Sequence, residues 1–549
     1  MKDFGKISRR NFLKTTVSST AGLLTGSVLG QSVINKTLCD GSGRKPNVIF
    51  MITDDQELDS FGFINRKALT PNIDRLASEG VYFSRAYATS SVCTPSRYTC
   101  LTGRYASRSK VDKFTNGITK EGQTWVHWNT DLAVIEDNVA KVLKANGYET
   151  GIVGKLHGFE LAGHDKSLNR KSDAKNPEVI RALKADQEKF ARGLKEHGFD
   201  DAAHLHRGNL GSGKSLPLEL CQHAPEWTAQ AAVEFIQQNK DKPFYLYYAT
   251  TLLHGPDPLT SLKSDPRVSE EGYLKELPDV MPSRQSVLER CKKAGIPESL
   301  APATWLDDSI GAIMKKLDEL DLTKDTLVIY FNDHGAENGK GSLYEGGVRT
   351  PTIIRYPAKV KPRQCDELIG NIDFVPTIFG AADVIASNEM TMDGLDLMPL
   401  LTGRTNETRD SVYCEIGYTR AVITKDWKYL AFRVPPSRQV SREENLEAMK
   451  KTAKKSKKPA LKINPEGRVT HIHRTPGGDG TELGNGLKRY KENYFDADQL
   501  YNLKNDPGET TNLVNNPEYK QQLEMMKAEL GKHLKAIPGT FAEFKVTQQ

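Results

Sequence analysis

The chain has 549 residues, too many for one simple core, so two domains or one large domain with an appendage are expected. Its composition, 38% hydrophobic and 27% charged, is ordinary for a globular protein, and a formal charge of +6 permits acidic ligands without arguing for nucleic acid. Seven scattered cysteines exclude a disulfide framework, although spacing leaves open a single bridge among Cys221, Cys291, Cys365 and Cys414.

Ser8-Arg9-Arg10-Asn11-Phe12-Leu13-Lys14 reads as a twin-arginine export signal. The stretch that follows, 15–30, is weakly apolar and too short and mild to span a bilayer permanently. No other run approaches transmembrane length, so no permanent membrane span is expected. Residues 1–36 are taken as signal and linker, with the twin-arginine export machinery as a partner and a periplasmic or secreted destination. Cys39 follows Lys36-Thr37-Leu38, which is no lipobox, so lipid anchoring is not expected.

Residues 47–52 form a continuous apolar run, the signature of a strand buried on both faces, and it ends in Asp54-Asp55. Thr70-Pro71 opens a helix that Gly80 closes, and Val81-Tyr82-Phe83 begins another strand. At Cys93-Thr94-Pro95-Ser96-Arg97, Thr94 suits an N-cap and Pro95 the first helical position, with Gly103 as the stop. Cys93 is therefore expected just outside a helix N-terminus, where free N–H groups favour an anion, with Arg97 leaning back toward it.

Residues 135–146 read as an amphipathic helix ended by Gly147, and 149–153 as a strand leading to Gly154-Lys155-Leu156-His157. The polar stretch 163–215 reads as surface helices and loops, 227–239 as a helix, and 244–249 as a strand followed by His254. A loop-rich excursion at 257–302 precedes a helix at 304–320 and a strand at 326–331 that ends in Asn332-Asp333-His334. The repeating order of strand, polar tip and helix predicts an α/β fold, a mostly parallel sheet with helices on both faces. Ligands of such sheets sit beyond the carboxyl ends of the strands. Asp54 with Asp55, Lys155 with His157, His254, and Asp333 with His334 all follow predicted strands and so meet at one rim.

Beyond Leu401, short strands at 412–416, 421–424 and 428–433 predict a small C-terminal α+β subdomain with an antiparallel sheet, closed by a helix at 518–535. A polar insertion at 435–493 carries the basic run Lys450, Lys451, Lys454, Lys455, Lys457 and Lys458, by default a solvated face. The division expected is a catalytic domain at 45–410 and the C-terminal subdomain at 411–549.

Asp54 and Asp55 alone would pass for a surface turn. Joined to Asp333 from another strand end, they read as oxygen ligands for a hard divalent cation. Lys155 and Lys340 singly are what most lysines are, solvated, and His157 and His254 singly are satisfied histidines. The spacing of the blocks that hold them changes this. C-x-P-S-R with L-T-G, Cys93 through Gly103, resembles the motif of the formylglycine-dependent type I sulfatases of the alkaline-phosphatase superfamily. The same family is matched by P-N-I-D-R-L-A-x-x-G-V-x-F from Pro71 to Phe83 and by G-K-x-H at Gly154, Lys155 and His157. It is matched again by G-K-x-x-x-Y-E-G-G-x-R-x-P from Gly339 to Pro351, and by the closing L-Y-x-L-x-x-D-P-x-E from Leu500 to Glu509.

The resemblance, which runs from about Pro46 to Leu513 outside the excursions and the insertion, implies an alkaline-phosphatase-like fold. It implies that Cys93 is oxidised to formylglycine by a formylglycine-generating or sulfatase-maturing enzyme. It also implies one Ca2+ held by Asp54, Asp55, residue 93, Asp333 and His334. Imidazole is an uncommon ligand for so hard a cation, so His334 either ligates or only orients. In the family's chemistry a hydroxyl of the formylglycine hydrate attacks sulfur, Arg97 holds the hydrate and sulfate oxygens, and Lys155 and Lys340 bind the sulfate. His254 or Lys340 protonates the leaving alcohol, and His157 takes the remaining hydroxyl proton so that the aldehyde re-forms and expels sulfate. Export points to a sulfated poly- or oligosaccharide as substrate. Two rivals stand beside this reading: a phosphonate monoester or phosphodiester hydrolase of the same superfamily, and a non-catalytic sulfated-glycan binding protein never modified at Cys93.

Overall fold

Asn47–Thr53 (β1) is buried along its whole length because it lies between two parallel neighbours and is packed on both faces. The structure, a computed structural model, describes residues 45–211, 215–337, 339–387, 390–438 and 496–541, together with 447 and 493. The expected export signal at 1–36, Cys39 and the basic run of the insertion lie outside the described residues.

With β1, the strands Val81–Phe83 (β2), Glu149–Lys155 (β3), Asp201–His206 (β4), Phe244–Ala249 (β5), Thr326–Asn332 (β6), Thr352–Arg355 (β7) and Arg363–Cys365 (β8) form one sheet. Its eight strands lie in the order β8-β2-β7-β6-β1-β5-β3-β4. Only β7 runs antiparallel to its neighbours β6 and β2, so the sheet is mostly parallel as expected.

Alternation along β1 divides the core. Val48, Phe50 and Ile52 face the helices Cys93–Thr102 (α1), Val139–Ala145 (α2) and Phe374–Ala382 (α3), through Tyr98, Leu101, Leu143, Phe374 and Ile378. Ile49 and Met51 face Pro71–Glu79 (α4), Pro225–Gln238 (α5) and Ala301–Glu319 (α6), through Ile73, Leu76, Phe235, Ile310 and Ile313. Each such side chain gains about 1.5–3 kcal/mol on full burial, which is why the run reads so clearly as central strand.

Several boundaries differ from expectation. The helix expected at 135–146 starts only at Val139, where the Asn138 side chain accepts from the N–H groups of Ala140 and Lys141, and Ile135 stays exposed. The stretch 163–215 holds a twenty-residue helix, Pro177–Glu196, and then β4, which pairs on one side only. The excursion at 257–302 contains a ten-residue helix, Arg284–Lys293. All six described cysteines, Cys221, Cys291, Cys365 and Cys414 among them, are buried and unbridged.

Val412–Ile416 (β9), Thr419–Ile423 (β10), Trp427–Phe432 (β11) and Asp498–Asn502 (β12) form the expected antiparallel sheet in sequential order. One face packs on the helix Lys520–Ala536 through Leu523, Met526 and Leu530. The other face, with Cys414, Ile423, Leu430 and Tyr501, packs on Tyr87, Val92, Leu343, Tyr344 and Val348. This sheet therefore braces the segments that flank Cys93 and carry Lys340.

Candidate active site

The carboxyl ends of β6, β1, β5 and β3 are adjacent and point the same way. They deliver Asp333 and His334, Asp54 and Asp55, His254, and Lys155 with His157 to one place, as the strand reading predicts. Gly154 makes the last delivery work. It has φ +92°, a β-bulge lies at Val153/Gly154, and a Cβ there would lie 2.0 Å from the Ala249 carbonyl oxygen. The bulge re-aims the strand end, and the Lys155 ammonium meets Asp54.

Cys93 comes from α1, but not in the expected position. It is the first helical residue rather than lying outside the helix, and Pro95 is the third rather than the first. Val92 is the extended N-cap and its carbonyl accepts from Ser96 at 3.3 Å, while the Thr94 hydroxyl donates to the His127 carbonyl at 3.3 Å instead of capping. A proline is tolerated anywhere in the first turn, where N–H groups lack intrahelical partners. Gly103, with φ +66°, ends the helix as expected.

Around Cys93 the distances are short. Its Sγ lies 3.7 Å from Asp54 Oδ1 and 3.6 Å from His334 Nε2. Arg97 Nε donates to Asp333 Oδ2 at 3.1 Å, and its Nη2 lies 3.3 Å from the Thr53 carbonyl and 3.5 Å from Asp54 Oδ2. Lys340 donates to both oxygens of Asp55 at 2.7 Å. His254 Nε2 lies 3.7 Å from Asp55 Oδ2. Asp54, Arg97, Asp333 and His334 are fully enclosed, whereas the side chains of Asp55, His254 and Lys340 are 24%, 20% and 27% exposed. The open edge of the site is therefore the Asp55, His254 and Lys340 side.

Two buried atoms among these lack a hydrogen-bond partner, Asp333 Oδ1 and Arg97 Nη1. A carboxylate oxygen and a guanidinium nitrogen left unpaired in the interior are costly unless a cation meets one and an anion the other. His334 Nδ1 donates to the Gly335 carbonyl at 2.9 Å, which leaves the Nε2 lone pair facing Asp55 Oδ1 at 3.4 Å and Asp333 Oδ1 at 3.5 Å. Acceptors facing acceptors fit a shared metal ion. Ligand atoms of Asp54, Cys93, Asp333 and His334 lie within 4.8 Å of one another, as do those of Asp54, Asp55 and His254.

The electrostatics separate the roles. Burial, and then the Asp54 charge, push the Cys93 thiol well above its usual range, so unmodified Cys93 is no thiolate nucleophile. Burial would raise Asp54, but Lys155, His254, Arg97 and Lys340 together hold it well below the ordinary carboxylate range. For Lys340, burial lowers the pKa, but the Asp55 and Asp54 carboxylates more than offset this, so it stays charged. Burial, then Lys155, holds His157 neutral, and its Nδ1 has no partner.

Two supports escape motif reading. Asn332, the last residue of β6, accepts from Gln56 N at 3.0 Å and Thr53 Oγ1 at 3.2 Å, and donates to the Gln56 carbonyl at 3.2 Å. It ties the Asp54 loop to the Asp333 loop, and its only signal in the sequence is an amide ending an apolar strand. Further off, Lys428 of β11 is fully buried between Glu345 at 2.7 Å and Glu509 at 2.9 Å. Glu509 also accepts from Glu345 N at 2.7 Å, and Tyr344 donates to Gln499 at 2.7 Å. The C-terminal sheet thus grips the segment that presents Lys340.

The sulfatase family model matches residues 46–384, more than half of the chain. The N-acetylgalactosamine-6-O-sulfatase of Bacteroides thetaiotaomicron is 27% identical over 490 residues, covering 75% of this chain and 88% of that protein. Human arylsulfatase A is 28% identical over 403 residues, covering 67% and 70%. Among solved structures, a Bacteroides thetaiotaomicron protein described with the metabolism of multiple glycosaminoglycans superposes with a TM-score of 0.56 at 22% identity, covering 90% of this chain and 100% of that one. Another, in complex with its substrate D-glucosamine-2-N,6-O-disulfate, gives 0.55 at 19% identity, covering 90% and 98%. The chain belongs to the sulfatase family and has its alkaline-phosphatase-like fold; it is a sulfuric ester hydrolase.

Proposed function

We propose that the chain removes sulfate from a sulfated poly- or oligosaccharide, with formylglycine at position 93 and one Ca2+ beside it. The observation that carries this is the meeting of Arg97, Lys155, Lys340 and His254 with three carboxylates around Cys93, where the thiol itself is held unreactive. The relatives named for N-acetylgalactosamine-6-O-sulfate and found with a disulfated glucosamine support a sulfated sugar as the substrate class.

Asp54, Asp55, Asp333 and His334, with residue 93, would hold the ion, which when bound adds fixed positive charge beside the sulfate oxygens. A hydrated formylglycine at 93 supplies a hydroxyl nucleophile that a buried thiol does not. Arg97, anchored on Asp333 and the Thr53 carbonyl, keeps one nitrogen for an anion. Lys155 and Lys340 place fixed charge around the ester, which matters most where negative charge grows on the bridging oxygen. His254 donates through Nδ1 to the Gly255 carbonyl at 2.8 Å, leaving Nε2 at the open edge to give a proton to the departing alcohol. His157, held neutral, accepts a proton on the enclosed side.

The same reading has the chain matured by a formylglycine-generating or sulfatase-maturing enzyme and carried by the twin-arginine machinery to the periplasm or beyond. Among the described residues no helix is long and apolar enough to cross a membrane. It also keeps 45–410 as the catalytic domain and 411–549 as the subdomain that supports it. The test is a panel of sulfated mono- and oligosaccharides, nitrophenyl sulfate and an aryl phosphonate. Sulfate release from a sugar and from nitrophenyl sulfate is expected. Turnover of the phosphonate without turnover of any sulfate would replace this reading with the phosphonate hydrolase.

A further inference from the structure

Among the described residues, Trp128 is the only aromatic side chain left exposed, at 36%. An indole is the largest apolar surface a side chain offers, and folded proteins bury most of it. Singly exposed aliphatic side chains are common and need no explanation, but this indole stands in a particular place. The His127 carbonyl accepts from Thr94 Oγ1 at 3.3 Å, and Thr94 is the neighbour of residue 93. Trp128 is the next residue of that loop. Further along it, Leu132 N donates to the carbonyl of Gly158, the neighbour of His157, at 2.7 Å. The loop therefore runs along the site, from the first turn of α1 to the segment that carries His157. Resting on the sulfatase reading, we propose that the Trp128 indole is a platform for a second sugar ring, the one joined to the ring whose sulfate is removed.

The loop holds the indole in place. Gly417 N donates to the Val126 carbonyl at 2.6 Å, and Lys113 Nζ donates to the Trp128 carbonyl at 3.3 Å. Asn129 closes the turn, its Oδ1 accepting from His127 N at 2.9 Å and its Nδ2 donating to the Trp125 carbonyl at 3.1 Å. Trp125 and His127 are stacked, with ring centroids 5.3 Å apart and planes 8° from parallel, and Trp125 packs on Tyr418 and Phe432 of the C-terminal subdomain. Trp128 meets His127 at 81°, with centroids 4.4 Å apart. A perpendicular contact leaves at least one face of the indole uncovered by His127. A flat apolar face on a backbone so fixed loses little freedom when a ligand settles on it. The part of a sugar that gains most there is the C–H face of the ring, because that apolar surface leaves water while the hydroxyls stay directed to it. The face of the π-system carries the negative end of its quadrupole, so the contact suits C–H bonds and offers nothing to a sulfate group. The platform thus recognises a ring by its apolar face and leaves the sulfate to the cations around residue 93.

The test is steady-state kinetics of metal-loaded, modified enzyme on nitrophenyl sulfate, on a sulfated monosaccharide and on a sulfated oligosaccharide from the same panel of sugars. Trp128→Ala should raise KM for the oligosaccharide on the order of ten-fold, with kcat little changed, as expected for losing the cover of one apolar face. The monosaccharide and nitrophenyl sulfate place no second ring on the indole, so the rise should not follow on them. Trp128→Tyr keeps a flat ring and should recover most of the oligosaccharide affinity, which a role in packing alone would not produce. An oligosaccharide KM that Trp128→Ala leaves in place, or a rise by the same factor on every ester, would overturn the platform while leaving the sulfatase reading intact. So would an enzyme that releases sulfate from the smaller esters and from no oligosaccharide. Turnover of no sulfate ester would overturn the sulfatase reading and the platform with it.

Discussion

His254 and Lys340 both stand at the open edge of the site, and their surroundings separate them. Lys340 is bound to Asp55 and kept charged by neighbouring negative groups, so it makes a poor proton donor and a good fixed charge. A sugar alcohol needs protonation as its ester bond breaks, whereas nitrophenolate hardly does. General acid catalysis is worth about 10²–10⁴-fold, or about 3–5 kcal/mol of barrier. His254→Ala should lose most of that on a sulfated sugar and far less on nitrophenyl sulfate, while Lys340→Ala should damage both alike. Steady-state kinetics on the two substrates checks this, with peptide mass and melting used to show that each variant keeps its modification and fold. The opposite pattern would move the acid role to Lys340.

At the scale of elements, Asp307 joins two helices that the sequence gives no reason to connect. It lies within α6, and its carboxylate accepts from Ile73 N at 2.7 Å and Asn72 N at 3.0 Å, capping α4, whose own N-cap Thr70 makes no side-chain cap. Burial pushes its pKa up to about 7 against those donors. Between the unfolded value near 4 and about 7 the folded chain holds a proton that the unfolded chain has lost, so stability falls as pH rises, by about 1.4 kcal/mol per pH unit at most. Melting curves should therefore show wild type gaining on Asp307→Asn at pH 5 relative to pH 8, and a gain in the reverse direction would mean a lowered pKa. Lys428→Met should cost about 3–5 kcal/mol by removing the cation buried between Glu345 and Glu509, measured by denaturant unfolding. Because that pair steadies the Lys340 segment, KM for sulfate esters should rise as well.

These cases mark what the sequence made legible. Apolar runs with acidic or basic tips gave the four central strands and the rim of the site, because a strand buried on both faces has an unambiguous composition. β4 escaped because an edge strand pairs once and carries Asp201, His204 and His206. β7 and β8 escaped because four and three residues are too few to display a period. The start of α1 differs from the sequence expectation because Thr94 and Pro95 are good capping residues, and only the fold shows that the Thr94 hydroxyl is used elsewhere. Asp307 and Asn332 act across more than two hundred residues of chain and the Lys428 pairs across about eighty, and no local pattern announces them.

For the molecule as a whole, Asp54, Asp55 and Asp333 meet from two adjacent strand ends far apart in sequence, and although Arg97, Lys155 and Lys340 offset their charge, the buried Asp333 Oδ1 keeps no hydrogen-bond partner without a cation. Chelation should abolish activity and lower the melting temperature, and Ca2+ should restore both. Binding at a hundred to a thousand times Kd stabilises by about 3–4 kcal/mol. Melting and turnover that stay unchanged in a sample stripped of metal, as checked by elemental analysis, would remove the ion from the account. The central claim rests on residue 93. Its most direct measurement is the mass of the tryptic peptide carrying position 93, taken from enzyme that is turning over a sulfate ester. The account predicts a residue that has lost sulfur and two hydrogens and gained an oxygen, resistant to alkylation. Fully active protein in which Cys93 is an intact, alkylatable thiol would contradict it.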